Sequence, residues 1–307
     1  MKLISRRNIS GALVNVGVTR GSTIFLMTDL AKVGAIPGVK TRDSFCAVYL
    51  DAIRDVIGTD GTIVMPTYTT QVARFDMEFI WEETPTILGL LPEFLRRQSG
   101  ALRSLHPLYS VTALGEKQTF ICSNNSTTNF GWNSPFHRML QTETRVVTIG
   151  LPSGYIMGMA HQLEAMCGLP YVYNKLLKWV PIVRGRKVNK SFSATVRHLD
   201  LAFSYDLARH VRVMRKQKNV NSAVLGGSWV HSAKYTTVFD SAAKQLADDP
   251  FYLLKEPPKF IENKIPFDGA TAGRDGIADN NPNKANWAGF YLGGSQDPGG
   301  DESDLWA

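Results

Sequence analysis

Ser22-Thr23-Ile24-Phe25-Leu26-Met27-Thr28 is an apolar, β-branched run, the composition of a strand. Downstream, residues 42–57 carry Phe45, Val48, Tyr49, Ala52, Ile53 and Val56 at helical spacing, so one face of an amphipathic helix is apolar. Thr62-Ile63-Val64-Met65-Pro66 then returns to strand composition. Strand, helix and strand in succession form the repeating unit of an α/β sheet, and α/β is the fold class these residues predict.

Working outward, residues 85–97 are predicted as a second helix, with Thr84 as N-cap and Pro85 at the first helical position. Residues 110–114 and 145–151 read as strands, 157–167 as a helix, and 180–188, with Gly185, as a short antiparallel hairpin. Residues 196–216 fit a strand, a helix or both, and 237–254 fit a closing helix interrupted at Pro250. After Pro257-Pro258 the composition changes, with eight glycines among the last forty residues. The expected organisation is one domain over residues 1–258 and a Gly/Asp-rich acidic tail over 259–307, whose Trp287, Phe290, Tyr291 and Trp306 argue against a plain linker.

With 307 residues, 44% of them hydrophobic and 20% charged, the chain is too apolar for a disordered protein. Cys46, Cys122 and Cys167 are an odd set without a Cys-x-x-Cys pair, which favours a reducing, cytoplasmic setting over a disulfide framework and gives no cysteine-built metal site. No apolar stretch approaches the roughly 20 residues of a membrane helix. The basic start has no apolar segment or cleavage site after it, so no secretory leader is expected.

The net charge of +7 is unevenly spread: residues 268–307 carry −5, and residues 175–218 carry +10. A focused basic surface attracts phosphate-bearing partners such as nucleic acid, a nucleotide sugar or coenzyme A. The stretch lacks the aromatic-rich strand or helix-turn-helix of a nucleic-acid module. Phosphate loop, Gly-x-Gly-x-x-Gly, Gly-x-Ser-x-Gly and His-Glu-x-x-His signatures are absent as well, which removes ATPase, dinucleotide dehydrogenase, serine hydrolase and zincin chemistry.

His161-Gln162-Leu163-Glu164 is the leading site candidate. On a helix, i and i+3 share a face, so Glu164 can orient the His161 imidazole as a general base; a surface His–Glu pair satisfies the same spacing. A metal held by the two has no evident third ligand. Arg103-Ser104-Leu105-His106-Pro107-Leu108-Tyr109-Ser110 crowds polar groups into a turn, with Pro107 holding His106 extended. Phe130-Gly131-Trp132-Asn133-Ser134-Pro135-Phe136 sets small and polar residues between aromatics. His137, His198, His210 and His231 show no partner pattern and are expected to be structural or surface residues.

Taken in order, residues 21–30, Gly34, Pro37-Gly38, residues 58–69, Thr84-Pro85, residues 89–93, Arg103-Ser104-Leu105-His106-Pro107, Ser110, residues 131–136 and the His161/Glu164 pair resemble the antibiotic N-acetyltransferase family, best known for aminoglycoside 3-N-acetyltransferases. The resemblance covers about the first 255 residues. It implies a three-layer α/β sandwich around a central mixed sheet, distinct from the GNAT fold, with a small antiparallel β insertion. It also implies an acyl-CoA-dependent N-acyltransferase, with acetyl-CoA or another acyl-CoA as co-substrate and no metal. Carried over by motif, the resemblance implies His161 as the base, Glu164 as its partner and His106 as a further catalytic residue near the cleft, with pantetheine and phosphates crossing Thr28, Asp29, Leu30, Thr67, Tyr68 and Thr69 and with Ser104 and Ser110 also on the cofactor side. The chain departs from the family at Met27-Thr28-Asp29, where His-Ser-Ser is common.

The acceptor is expected to be a small-molecule amine. Residues 175–218, which resemble the family's acceptor-side insertion, are basic where a polycation would call for carboxylates. The preferred acceptor is therefore an amino sugar, free or nucleotide-linked, with aminoglycoside resistance as the alternative. A catalytically drifted binding protein using the basic stretch is the remaining reading. Membrane and nucleic-acid partners are not expected, and the tail aromatics are a candidate surface for homo-oligomerisation.

Overall fold

In the computed structural model, which describes residues 2–197, 201 and 203–260, the apolar run at 22–28 forms a strand at the centre of a sheet. In chain order the first half gives α1 (Arg6–Asn15), β1 (Thr23–Thr28), α2 (Arg42–Ile57), β2 (Thr62–Pro66), α3 (Gln71–Arg74), β3 (Phe79–Ile80), α4 (Leu90–Arg96), β4 (Leu102–Arg103), β5 (Val111–Gly115), α5 (Gln118–Cys122), α6 (Pro135–Leu140) and β6 (Thr144–Ile149). The second half gives α7 (Ala160–Cys167), β7 (Val172–Leu177), β8 (Pro181–Val183), β9 (Arg186–Lys187), β10 (Phe192–Arg197), α8 (Leu207–Lys216), β11 (Asn221–Leu225), β12 (Ser228–Lys234) and α9 (Tyr235–Asp248).

The main sheet has seven strands in the order β11-β12-β6-β1-β2-β5-β4. β1 runs parallel to β2 and β6, and the flanking β5 and β12 are antiparallel to their neighbours, so the sheet is mixed. Side chains alternate across it. Ile24 and Leu26, with Ile63, Met65, Val147 and Ile149, pack with residues of α1, α2 and α4. Phe25, Val64 and Val146 pack on the other face with residues of α6, α7 and α9. Helix, sheet and helix make three layers, and burial on both faces is why β1 reads as continuous apolar sequence.

The first helix in the expected unit forms over Arg42–Ile57, closed at its start by reciprocal capping between Thr41 and Ser44. The second is shorter than predicted: α4 begins after Gly89, and Thr84 is no N-cap. Its hydroxyl accepts from the Ile80 N–H at 2.8 Å, while Gln71 donates to the Pro85 carbonyl at 2.7 Å. These bonds hold residues 84–88 outside a helix. The helix expected over 157–167 starts later, at Ala160, as α7, and a 3₁₀ turn over Ser153–Met157 precedes it. The closing helix ends at Asp248, before Pro250. The open segment 196–216 resolves into the end of β10 and α8. The hairpin β11–β12, which turns at Gly226-Gly227, and α1 have no counterpart among the elements expected from sequence.

The basic stretch is not one element. It divides among a β7–β10 ribbon, a small β3-β8-β9 sheet and α8. Among the described residues no helix is long and apolar enough to cross a membrane. His198, Asp200 and the tail beyond residue 260 lie outside the described residues.

Candidate active site

β6, β1 and β2 are parallel, so Ile149, Thr28 and Pro66 end on one edge of the sheet. The chain leaves β1 toward α2 on one face of the sheet and leaves the adjacent β6 toward α7 on the other, which is where α/β sheets open a crevice. The chain leaves β6 through Gly150, whose φ is +78° and whose absent Cβ would lie 1.8 Å from the Asp29 carbonyl oxygen. Only glycine lets these two strand ends approach so closely. The 3₁₀ turn then brings the chain to α7.

His161 and Glu164 lie on the same face of α7. His161 Nδ1 is 2.6 Å from Glu164 Oε2; the carboxylate side chain is 2% exposed and the imidazole side chain 50%. An ionised carboxylate only accepts, so Nδ1 donates and Nε2 presents its lone pair. Glu164 Oε1 accepts from the Tyr205 hydroxyl at 2.7 Å. Burial, reinforced by the carboxylate, pushes the Tyr205 phenol well above its ordinary range, which keeps it a donor. Phe130 and Tyr205 flank the imidazole, each ring centroid 5.9 Å away. Gln162, fully buried, accepts from the Tyr235 hydroxyl at 2.7 Å and ties α7 to α9.

The structure separates His106 from this pair. Its Nδ1 accepts from the N–H groups of Leu108 and Tyr109 at 3.2 and 3.0 Å, which leaves Nε2 to donate to the Ser193 carbonyl at 3.1 Å. Burial pushes the imidazole down to about 4. Both nitrogens serve the backbone, so the catalytic role expected for His106 finds neither of them free. The ring instead joins its own turn to β10.

The hydroxyls expected near the cleft are similarly engaged. Ser104 accepts from Val111 N–H at 2.9 Å, and Thr69 donates to the Pro107 carbonyl at 2.7 Å. Ser110 donates to the Thr67 carbonyl at 2.8 Å and accepts from Arg103 Nε at 2.9 Å. Thr67 lies within hydrogen-bond reach of Thr112 at 3.1 Å. Arg103 also donates to the carbonyls of Trp81, Thr84 and Thr67, a buried clamp that burial pushes down to about 9. Thr67, Thr69, Ser104 and Ser110 are buried, whereas Thr28, Asp29, Leu30 and Tyr68 are partly open at the strand ends. Asp29 accepts from Ala31 N–H at 3.2 Å and starts the short 3₁₀ turn that follows.

Part of the basic charge is already paired. Lys178 lies 2.8 Å from Asp76, Lys187 3.8 Å from Glu78 and Arg212 3.7 Å from Asp206, and Arg209 sits 4.4 Å from the centre of the Tyr252 ring. The residues missed from sequence are Tyr205 and Tyr235. Tyr205 is 41 positions from Glu164, and no local spacing announces a partner at that distance.

Residues 26–247 match the family described as aminoglycoside 3-N-acetyltransferase. Aminoglycoside N(3)-acetyltransferase VII of Streptomyces paromomycinus is 27% identical over 187 residues, 54% of this chain and 62% of that enzyme. The aligned stretch thus spans less than two-thirds of that relative's length. Aminoglycoside N(3)-acetyltransferase IX of Micromonospora chalcea is 24% identical over 228 residues, 67% of this chain and 77% of that enzyme. Among solved structures, aminoglycoside acetyltransferase AAC(3)-Xa superposes with a TM-score of 0.67 at 21% identity, over 83% of this chain and 95% of its own. AAC-IIIb, solved as a binary complex with CoASH, gives 0.68 at 18% identity, over 80% and 97%.

Proposed function

Because this chain belongs to the aminoglycoside 3-N-acetyltransferase family, we propose that it transfers an acetyl group from acetyl-CoA to an amino group of an aminoglycoside, the 3-amino group by the names of its relatives. The observation that carries the reading is the His161–Glu164–Tyr205 chain at the strand ends. His161 Nε2 removes a proton from the acceptor amine as its nitrogen bonds the thioester carbonyl carbon; only a nitrogen with a free lone pair can attack. Glu164 holds the ring and balances the imidazolium that forms. Collapse of the adduct breaks the C–S bond, and the proton on Nε2 is available to the departing thiolate.

Bound acetyl-CoA would supply the activated acyl carbon. Thr28, Asp29, Leu30 and Tyr68, partly open above the parallel strands, are the donor-side residues best placed to meet it. Thr67, Thr69, Ser104 and Ser110 support that floor from beneath through the bonds described above. An aminoglycoside replaces the nucleotide-linked amino sugar as the favoured acceptor. The relatives favour it, and the partial pairing of the basic stretch weakens the electrostatic argument for a phosphorylated one. The intact His161–Glu164 pair speaks for an enzyme over a drifted binding protein.

The test is acetyl transfer from acetyl-CoA across a panel of aminoglycosides, amino sugars and nucleotide-linked amino sugars, with thermal stabilisation by acetyl-CoA read in parallel. Turnover confined to aminoglycosides is expected, and turnover confined to nucleotide-linked sugars would overturn the acceptor assignment.

A further inference from the structure

We propose that Trp132 is an aromatic platform for the acceptor, stacking on an aminated sugar ring beside His161; the proposal rests on the acceptor reading above. Trp132 is 75% exposed, yet the turn that displays it is firmly built. Ser134 N–H donates to the Gly131 carbonyl at 3.2 Å, and Asn133 occupies the left-handed region with φ +59°. Arg138 donates to the Asn133 side chain at 2.9 Å and also to the carbonyls of Phe120, Ser123 and Asn124. Trp132 is the first central residue of this β-turn, with the left-handed Asn133 as the second, and its indole lies with its centroid 6.3 Å from that of His137 on α6. Holding a large apolar ring in water forgoes its burial energy, and a clamp of this kind fixes where it stands.

The turn adjoins the site. Phe130, two positions before Trp132 and no more than about 7 Å away along the backbone, packs its ring 5.9 Å from that of His161. The segment of chain leading to it is bound to β10 by paired hydrogen bonds of 3.1 and 2.9 Å between Asn129 and Thr195. Around His161 the described surroundings are aromatic: Phe130 and Tyr205 touch the imidazole, and Tyr109 and Tyr68 continue the wall behind Phe130. Glu164, the carboxylate beside His161, has both oxygens engaged. An indole is the strongest aromatic side-chain partner for an ammonium and offers a flat apolar face to a pyranose. A phosphate-bearing ligand would gain nothing from it.

The experiment measures kcat and KM for Trp132→Ala and Trp132→Phe with an aminoglycoside acceptor, alongside acceptor binding by titration calorimetry without acetyl-CoA. Val224→Ala, an exposed apolar residue on the far edge strand, is the control. Trp132→Ala is expected to raise acceptor KM and dissociation constant roughly three- to tenfold, with kcat, the KM for acetyl-CoA and the melting temperature unchanged. Trp132→Phe should recover most of the loss. Unchanged acceptor KM and binding would overturn the platform, as would a rise confined to the KM for acetyl-CoA, which would place the indole on the donor. If the wild-type protein binds aminoglycosides through Trp132 but acetylates none, the platform stands and the proposed reaction fails. Aminoglycoside turnover that is indifferent to Trp132 removes the platform and leaves the reaction standing.

Discussion

Two polar clusters stand out in this chain, one at His161 and Glu164 and the other at residues 103–110, and they differ in what their hydrogen bonds leave over. At the first, a fully buried carboxylate holds a half-exposed imidazole by one nitrogen and leaves the other for a ligand. At the second, His106 has both nitrogens on backbone groups, and Ser104, Ser110 and Arg103 are spent on joining the turns after β2 and before β5. A reactive group needs capacity its own fold does not consume. A polar cluster with none remaining is a structural device, however suggestive its residue types.

The contrast is broken most decisively by His161→Ala. Steady-state turnover should fall by roughly two to four orders of magnitude, the contribution of a general base. The melting temperature should stay within experimental error of the parent, because the side chain is half in water. Arg103→Leu should do the reverse. Its four acceptors lose a buried donor, and a loss of about 3 kcal/mol of stability by urea unfolding is expected, with acetyl-CoA stabilisation weakened because the donor-side floor loosens. Equal activity losses without destabilisation in Arg103→Leu would erase the distinction between the clusters.

Acid probes the same contrast from the structural side. His106, His210 and His231 are buried, and burial pushes each imidazole down to about 4 from 6.5. As pH falls, the unfolded chain takes up these protons first. Stability is therefore complete above about pH 6.5 and drains between 6.5 and 4, by on the order of 2–3 kcal/mol per histidine. Urea midpoints measured across that window should fall steeply, and less so in His106→Gln. A midpoint that does not move over the window would mean the three rings are not held neutral by the fold.

The smallest effect is expected at Tyr205→Phe, which removes one donor from Glu164 and leaves the ring beside His161. A roughly tenfold fall in kcat with unchanged KM for both substrates fits a hydrogen bond to a charged group. Unchanged kcat would make Tyr205 a wall residue only.

Legibility from sequence follows the range of the forces involved. β1, α2 and β2 are readable because burial on both sheet faces and a helical stripe impose short-range patterns, and the α2 boundaries agree at both ends. The helix expected from Thr84 is displaced because Gln71 and Tyr68, distant in the chain, bond to Pro85 and Ile87 and keep this segment out of a helix. The basic stretch reads as a single field because counting charges along a chain ignores that Asp76 and Glu78 fold beside Lys178 and Lys187.

Local sequence was sufficient for the α/β class, the strand–helix–strand core and the His161–Glu164 contact. Helix geometry brings i and i+3 together whatever the rest of the chain does. It took long-range packing to establish that Tyr205 completes the pair, that His106 is locked, and that the hydroxyls at 67, 104 and 110 point into the scaffold. Those outcomes depend on which nitrogen or oxygen still has a free position once segments tens of residues apart have packed, and residue spacing carries no record of that.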